Sequence, residues 1–463
     1  MPDCKSCTKS QIAVYCHRCC PPGCMRLTRH QRCRRAVMTS GSYGRKRMTS
    51  SMLSGNDNGS SPRDGLDPAL FLYPLAHLAV EVYNSMLSVM WPLFVSRFGL
   101  AFGALGLLTM IFRGSMTLPQ IGFAALADKY GSRLMAVAGL LCMAIGMSLA
   151  GLAPSLVVLV VILILAPLGS SAFHPAGTAH MSRAMPHRRA TAVALFMVGG
   201  TVGMSLGPLI GAQVYGRLGL AASPVFLPLG LGVALLMFLF IRADRPRPRR
   251  RQMAVADDPI PPTIGFLMVV AIMQAWVETG LQSYLTVFLT GRGESLVAAS
   301  QALFAYSASA AGGIVLGGAL SDRVPRWRVI VLSLLLCMPF YAGTLTLGAR
   351  WLLLASAGLG FVSSLSQPVV VAYGQELMPN RTGLASALTM GMSWVIGSVG
   401  VVLTGLLADR IGLQPALLLN TGLPIVGIAS ILSLRRVSRR KAAAKAPAGT
   451  PAWSVPDGFE QSS

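Results

Sequence analysis

Twelve windows of about 20 predominantly apolar residues can be drawn along this chain, the length a helix needs to cross a hydrocarbon core of about 30 Å. They predict spans at 70–95, 103–126, 133–153, 155–178, 190–215 and 222–242, then at 263–290, 299–320, 327–347, 351–374, 383–408 and 413–434. Of 463 residues, 53% are hydrophobic and 12% charged, which excludes an ordinary water-soluble protein of this length. A membrane barrel is excluded too, because its strands would alternate apolar and polar residues in segments of about ten. The expected fold class is an all-α membrane protein with twelve transmembrane helices in two pseudo-symmetric six-helix bundles. The bundles are expected at 69–242 and 263–434, with a linker at 243–262 and tails at 1–68 and 435–463.

The formal charge of +23 suggests nucleic acid until its placement is examined. With both termini on one side of the membrane, 33 of the 39 Lys and Arg residues fall on that side. Five lie opposite (Arg97, Arg217, Arg292, Arg350 and Arg410), and Arg113 falls inside a span. Basic residues gather on the cytoplasmic face, so the termini are expected there and the charge calls for no nucleic-acid partner. The C-tail, opening on Arg435, Arg436, Arg439, Arg440 and Lys441, suits a cytoplasmic anchor near anionic lipid. The linker, with Arg245, Arg247, Arg249, Arg250 and Arg251 followed by Asp257, Asp258 and prolines, suits a solvated connection between halves.

Residues 1–68 are polar, basic and lack the apolar stretch of a cleaved signal peptide, so disorder is expected there. An over-long start is an alternative, with Met38, Met48 or Met52 as initiators. Seven of nine cysteines lie in this tail: Cys4, Cys7, Cys16, Cys19, Cys20, Cys24 and Cys33. Their two C-x-x-C pairs have zinc-ligand spacing, but nothing around them reads as a finger, and an extension without function is the plainer reading. Cys142 and Cys337 sit in spans as small packing residues.

The two halves repeat each other at an offset of about 193 residues. Ser170-Ser171-Ala172-Phe173-His174-Pro175 answers Ser363-Ser364-Leu365-Ser366-Gln367-Pro368, and Met185-Pro186-His187-Arg188 answers Met378-Pro379-Asn380-Arg381. Gly207 answers Gly400, and at 194 Leu126-Ala127-Asp128-Lys129 answers Leu320-Ser321-Asp322-Arg323.

Three charged residues fall inside spans, Glu81, Arg113 and Glu278, each costing about 3 kcal/mol or more at the bilayer centre unless it faces a cavity or a partner. His77, Glu81, Asn84 and Ser88 form one polar stripe on the first span, which is expected to line a central path. Gln274, Glu278 and Gln282 repeat every four residues on the seventh span, one turn from the position that answers Glu81. A carboxyl in a semi-dry cavity can exchange a proton for substrate, and Glu81 is the first candidate. A static ion pair of Glu81 with Arg113 is the alternative. Arg113 also has the planar fork that binds phosphonate or carboxylate bidentately. His174 is either a hydrogen-bonded packing residue or part of the path. Gln367, Trp276 and Trp394 are further lining candidates, although aromatic residues in spans more often only pack.

Two loops, at Leu126–Arg133 and Gly318–Arg328, place an Asp at a helix end followed by basic residues. They resemble the G-x-L-x-D-R-x-G-R signature of the major facilitator superfamily, with Ala124 replacing the glycine in the first half. The resemblance implies that Asp128, Lys129, Arg133, Asp322 and Arg323 pair across the halves as a gate; the plainer reading is that the bases only set orientation. Gly203-x-x-x-Gly207-Pro208-x-x-Gly211 lets a neighbouring backbone come close and bends the fifth span. It resembles the fifth-helix signature of superfamily antiporters, against ordinary helix packing.

Within the superfamily, Gly169–Pro175, Gln375–Pro379 with Arg381 and Gly280–Leu289 resemble the fosmidomycin resistance family. This chain departs from it in reading Phe173-His174-Pro175-Ala176 and in carrying Arg113. The resemblance implies a bacterial inner-membrane exporter of small polar drugs, classically a phosphonate antibiotic, driven by proton exchange. The substrate is expected to be a small polar or anionic compound, no cofactor is expected, and the oligomeric state is left open with a monomer favoured. The rivals are a metabolite importer of the same fold and a non-transporting sensor or assembly factor. No nucleotide loop, nucleophile elbow or metal cluster in the spans supports an enzyme.

Overall fold

All but one of the helices here have apolar side chains on faces that no other helix covers, with Phe71, Ile121, Val157 and Val315 all more than 70% exposed. Such faces suit lipid and no aqueous surroundings. The structure, a computed structural model, describes residues 67–185, 188–243 and 259–445. The cysteines of the N-tail, the linker arginines from Arg245 to Arg251 with Asp257 and Asp258, and the chain after 445 lie outside these residues.

Among the described residues, twelve spanning helices follow one another. The first half holds α1 (Ala69–Phe98), α2 (102–130), α3 (Ser132–Ala150), α4 (Leu156–Ala184), α5 (Arg189–Leu218) and α6 (Leu220–Phe240). The second holds α7 (Ile264–Gly291), α8 (Leu296–Ser321), α9 (Arg326–Thr346), α10 (Ala349–Leu377), α11 (Pro379–Ile411) and α12 (Leu413–Arg440). Eleven of these are long and apolar enough to cross a membrane, although α10 itself breaks at Leu365 and Ser366, just before Pro368. The twelfth, α2, breaks at Leu118 and Pro119 into Phe102–Thr117 and Gln120–Tyr130, because proline removes a backbone donor. Several helices outrun their apolar windows: α4 continues to Ala184 and α12 to Arg440, where the ends reach the polar interface. Leu126–Tyr130, read from sequence as loop, is the last turn and a half of α2; the connection is Gly131, whose φ of 94° favours glycine.

The repeat is visible in the contacts. At the end of the bundle away from the described termini, Arg97 donates to the Gly151 carbonyl at 2.8 Å, and Arg292 donates to the Leu345 carbonyl at 3.1 Å. The two arginines and the two carbonyls are related by the repeat offset. Each guanidinium satisfies a carbonyl at the C-terminal end of a helix, where the dipole favours a cation.

Close backbone approach builds the first half. A Cβ at Gly203 would run into the Leu78 carbonyl, one at Gly207 into Ser85, and one at Gly211 would lie 2.9 Å from Val89. Gly199 extends the row against Pro74. In the second half Gly397 and Gly400 seat Ala275 and Trp276 of α7 in the corresponding groove of α11.

The apolar core is asymmetric along the membrane normal. In the half distant from the termini it is continuous across both bundles, running from Phe94, Leu105 and Phe112 to Tyr284, Phe288 and Val401. Toward the termini it divides into two separate cores, one around Tyr73, Phe173 and Phe196 and one around Leu267, Ile330 and Tyr373. Hydrogen bonds between the bundles follow the same division. The Asp409 carboxylate accepts from the Phe102 and Gly103 amides at 2.7 and 2.9 Å, capping the start of α2 from the other half. Tyr284 donates to the Phe102 carbonyl at 2.9 Å, and Thr286 donates to the Ser88 carbonyl at 2.5 Å. Thr109 meets Ser283 at 3.3 Å nearer the middle. The bundles are therefore joined at the distant end and parted at the terminal end.

Replacing Gly203 with Leu is expected to cost about 1–3 kcal/mol through overpacking, seen as a lower Tm of the purified protein in detergent. Asp409→Ala removes a cap worth about 1 kcal/mol and should speed thiol labelling of a Ser283→Cys reporter about fivefold, in a background without native cysteines. An unchanged labelling rate would show that the cap does not hold the distant end shut.

Candidate functional site

The middle of α1 carries the polar stripe inward. Glu81 is 7% exposed and His77 2%, at a depth where charge is tolerated only with partners. His174 of α4 brings its Nε2 to 3.0 Å from Glu81 Oε1, and His77 Nε2 lies 3.8 Å from the same oxygen. Each imidazole is oriented by its other nitrogen: His77 Nδ1 is 2.8 Å from the Phe196 carbonyl, and His174 Nδ1 is 2.8 Å from the Ser170 carbonyl. A carbonyl only accepts, so Nδ1 carries the proton in both rings. Asn84 completes the stripe, donating to Ser170 Oγ at 3.2 Å.

Glu81 and Arg113 make no direct ion pair among the described residues; the alternative of a static bridge gives way to separate partners. Arg113 donates to Gln282 Oε1 at 2.5 Å and lies 5.4 Å from the centroid of the Trp394 ring, both in the second half. One guanidinium from α2 is thus held by α7 and α11.

These groups open on a cavity at the seam of roughly 600 Å³, counting its open mouth. Glu81, Asn84, Arg113, Gln282 and Pro208 are among its lining residues, with Trp91 and Phe112 supplying apolar wall. Its mixture of apolar wall and a few polar groups is what a site for a small molecule requires.

Glu278 departs from the expectation of a shared central path. Its side chain lines a second cavity of roughly 450 Å³ inside the second bundle, together with Gln274, Gln367, Tyr306, Ser333 and Cys337. Gln367 donates to Glu278 Oε2 at 3.1 Å, and Gln282 donates to Oε1 at 3.4 Å. Gln274 is turned to Ser366, which meets Ser333 at 2.7 Å. The repeat explains the pairing, since Gln367 occupies the position that answers His174. Gln282 faces both ways, touching Glu278 on one side and Arg113 on the central cavity on the other. Trp276 is a packing residue, its Nε1 donating to Thr404 at 2.9 Å.

Residues of the two signature loops do not meet across the halves. Asp128, Lys129, Asp322 and Arg323 are exposed, and among the described residues no ion pair joins them. Lys129 lies over Tyr130, and Arg133 donates to the Phe238 carbonyl at 2.9 Å within its own bundle. The parted cores explain this, because partners in the opposite half are held away. At this end Arg326 pairs with Glu376 at 2.5 Å, inside the second bundle. Sequence reasoning passed over Glu376, and it passed over Asp409 although acids are scarce at the distant end.

Comparison with known proteins agrees with this architecture. The chain is 28% identical over 368 residues to the fosmidomycin resistance protein of Escherichia coli (strain K12), covering 77% of this chain and 90% of that one. It is 27% identical over 386 residues to the uncharacterized MFS-type transporter YfnC of Bacillus subtilis (strain 168), covering 79% and 92%. A bacterial homolog of the human lysosomal transporter Spinster, in an inward-facing and occupied conformation, superposes with a TM-score of 0.68 at 19% identity. That match covers 79% of this chain and 96% of the Spinster homolog. The nucleoside transporter NupG superposes with a TM-score of 0.69 at 12% identity, covering 80% and 100%. Since the family profile also matches residues 75–401, the chain belongs to the Major Facilitator Superfamily and is a multi-pass membrane transporter resembling the fosmidomycin resistance proteins.

Proposed function

We propose that this chain is a secondary active transporter that exports small polar or anionic compounds across a bacterial inner membrane in exchange for protons. The observation that carries the reading is the central cavity, where a buried carboxylate of α1 and a guanidinium of α2 line one space between two bundles joined at a single end. A secondary carrier needs both features, a site on the seam and bundles that can part at either end while it stays between them.

Arg113 is the anion-binding group in this scheme. Because Gln282 and Trp394 of the other half hold it, an anion that takes its place changes how the bundles are tied. Glu81 is the proton carrier, with His174 as the group that exchanges the proton with it. Glu278, with Gln274 and Gln367, forms a second polar centre linked to the first through Gln282. The Lys and Arg bias supports an orientation with both termini in the cytoplasm. On that orientation the structure corresponds to the state open inward, and Asp128, Lys129, Arg133, Asp322 and Arg323 would draw together when the terminal end closes. Gly203, Gly207, Pro208 and Gly211 keep α1 and α5 moving as one body.

Transport in inverted membrane vesicles is expected to fall to the passive level when the pH gradient is collapsed; transport that continues unchanged excludes proton exchange. Glu81→Gln should abolish gradient-driven transport while leaving substrate binding measurable, and a variant with the wild-type pH dependence removes Glu81 from this role. Arg113→Gln should raise KM for an anionic substrate at least about tenfold, since a hydrogen bond to a charged group contributes about 1.5–3 kcal/mol. Direction is read from growth: a deletion strain that loses tolerance to phosphonates or organic anions exports them, whereas a strain that gains tolerance imports them.

A further inference from the structure

Glu81, His77 and His174 do more than surround a proton. Their ligand atoms, one carboxylate oxygen and two Nε2 atoms, all lie within 4.8 Å of one another. His77 and Glu81 come from one turn of α1, and His174 is brought from 93 residues away by the packing of α4 on α1. Because both Nδ1 atoms donate to backbone carbonyls, both Nε2 lone pairs are left facing the same carboxylate oxygen. A neutral His174 at 3.0 Å would then set a lone pair against a lone pair. One proton on His174 relieves that contact but leaves His77, whose Nε2 stands 3.8 Å from Oε1 and is out of hydrogen-bond range. A single cation among the three atoms satisfies all of them.

We propose that His77, Glu81 and His174 form a binding site for a divalent transition-metal cation of the Zn²⁺ and Co²⁺ class. Two imidazoles and a carboxylate are the donor set that suits such borderline ions, whereas Mg²⁺ and Ca²⁺ prefer oxygen donors throughout. With metal–ligand bonds of about 2.0–2.2 Å, ligand atoms sit about 3–3.5 Å apart, so the 3.0 and 3.8 Å separations from Glu81 Oε1 require shifts of a few tenths of an ångström, and the two Nε2 atoms, within 4.8 Å of each other, close by up to about 1.3 Å as the rings turn onto the ion. The supporting bonds are those of a built site, since a ligating histidine ordinarily donates its other ring N–H to a carbonyl or carboxylate. His77 is further fixed between Phe196, stacked at 4.1 Å between ring centroids, and the α5 backbone at Gly200. Three protein ligands leave a position for a water or for an anion entering from the central cavity, which Glu81 lines. A bound divalent ion reverses the net charge of the cluster from −1 to +1 and, with Arg113 in the same cavity, strengthens its preference for anions.

This site shares Glu81 and His174 with the proposed proton exchange, so cation and proton compete there, but binding is read without transport and either one can fail while the other holds. The probe is Co²⁺ added alone to the purified full-length protein after its thiols, including those of the N-tail, have been alkylated. One equivalent is expected to bind with a visible d–d band typical of nitrogen and oxygen ligands. Glu81→Gln and His174→Gln should each weaken binding at least about tenfold while keeping the wild-type gel-filtration profile. X-ray absorption at the zinc edge of the wild-type protein, loaded with one equivalent of Zn²⁺, needs no variant and should show imidazole scattering with no sulfur. The absence of a d–d band, binding retained in both variants, or a sulfur-containing shell would each overturn the proposal.

Discussion

A polar side chain on a helix in hydrocarbon can be satisfied only by another protein group or by water admitted to a cavity, and this constraint arranges the interior of the protein. Glu81, Arg113 and Glu278 all point inward, and each has hydrogen-bond partners drawn from a different helix. The partners fix where helices must meet. His174 draws α4 to α1, while Gln282 and Trp394 tie α2 to the opposite half. Apolar packing then seals the outside, and the glycines of α5 allow α1 close enough for the polar groups to converge.

Duplication supplied the frame, and the two halves have since diverged within it. His174 and Gln367 answer each other in the repeat, and each is bonded to a carboxylate inside the first helix of its half. The carboxylates differ by one turn, which is enough to send Glu81 to the central cavity and Glu278 to a cavity of its own bundle. The first half therefore presents an ionisable pair to the path. The second presents an amide and a carboxylate one step removed, joined to the path through Gln282.

At its distant end the seam between halves is tied by groups of modest individual strength: a carboxylate cap on two amides, two hydroxyl bonds to carbonyls, and a continuous apolar layer. Interactions of this size can be exchanged at modest cost, as a pair of rigid bundles that rock against each other requires. Among the described residues, Asp128, Lys129, Asp322 and Arg323 form no ion pair across the seam, for the same reason that the cores are parted there. An arrangement that opened every end would lose the apolar layer altogether, whereas this one keeps it at one end.

Residue chemistry along the chain was enough to determine the number of spans, their approximate limits, the two-fold repeat and the inward stripe on α1, because these depend on local periodicity and on the cost of polar groups in lipid. It also marked the glycines of α5, whose spacing alone aligns them on one face. It did not determine that Glu81 pairs with His174 and His77 in place of Arg113, that Glu278 turns into its own bundle, or that Asp409 caps a helix of the other half. Those pairings join residues up to 307 positions apart. Only the packing of whole helices, with the choice of which end of the seam is closed, brings such groups within hydrogen-bonding distance, and no local pattern encodes that choice.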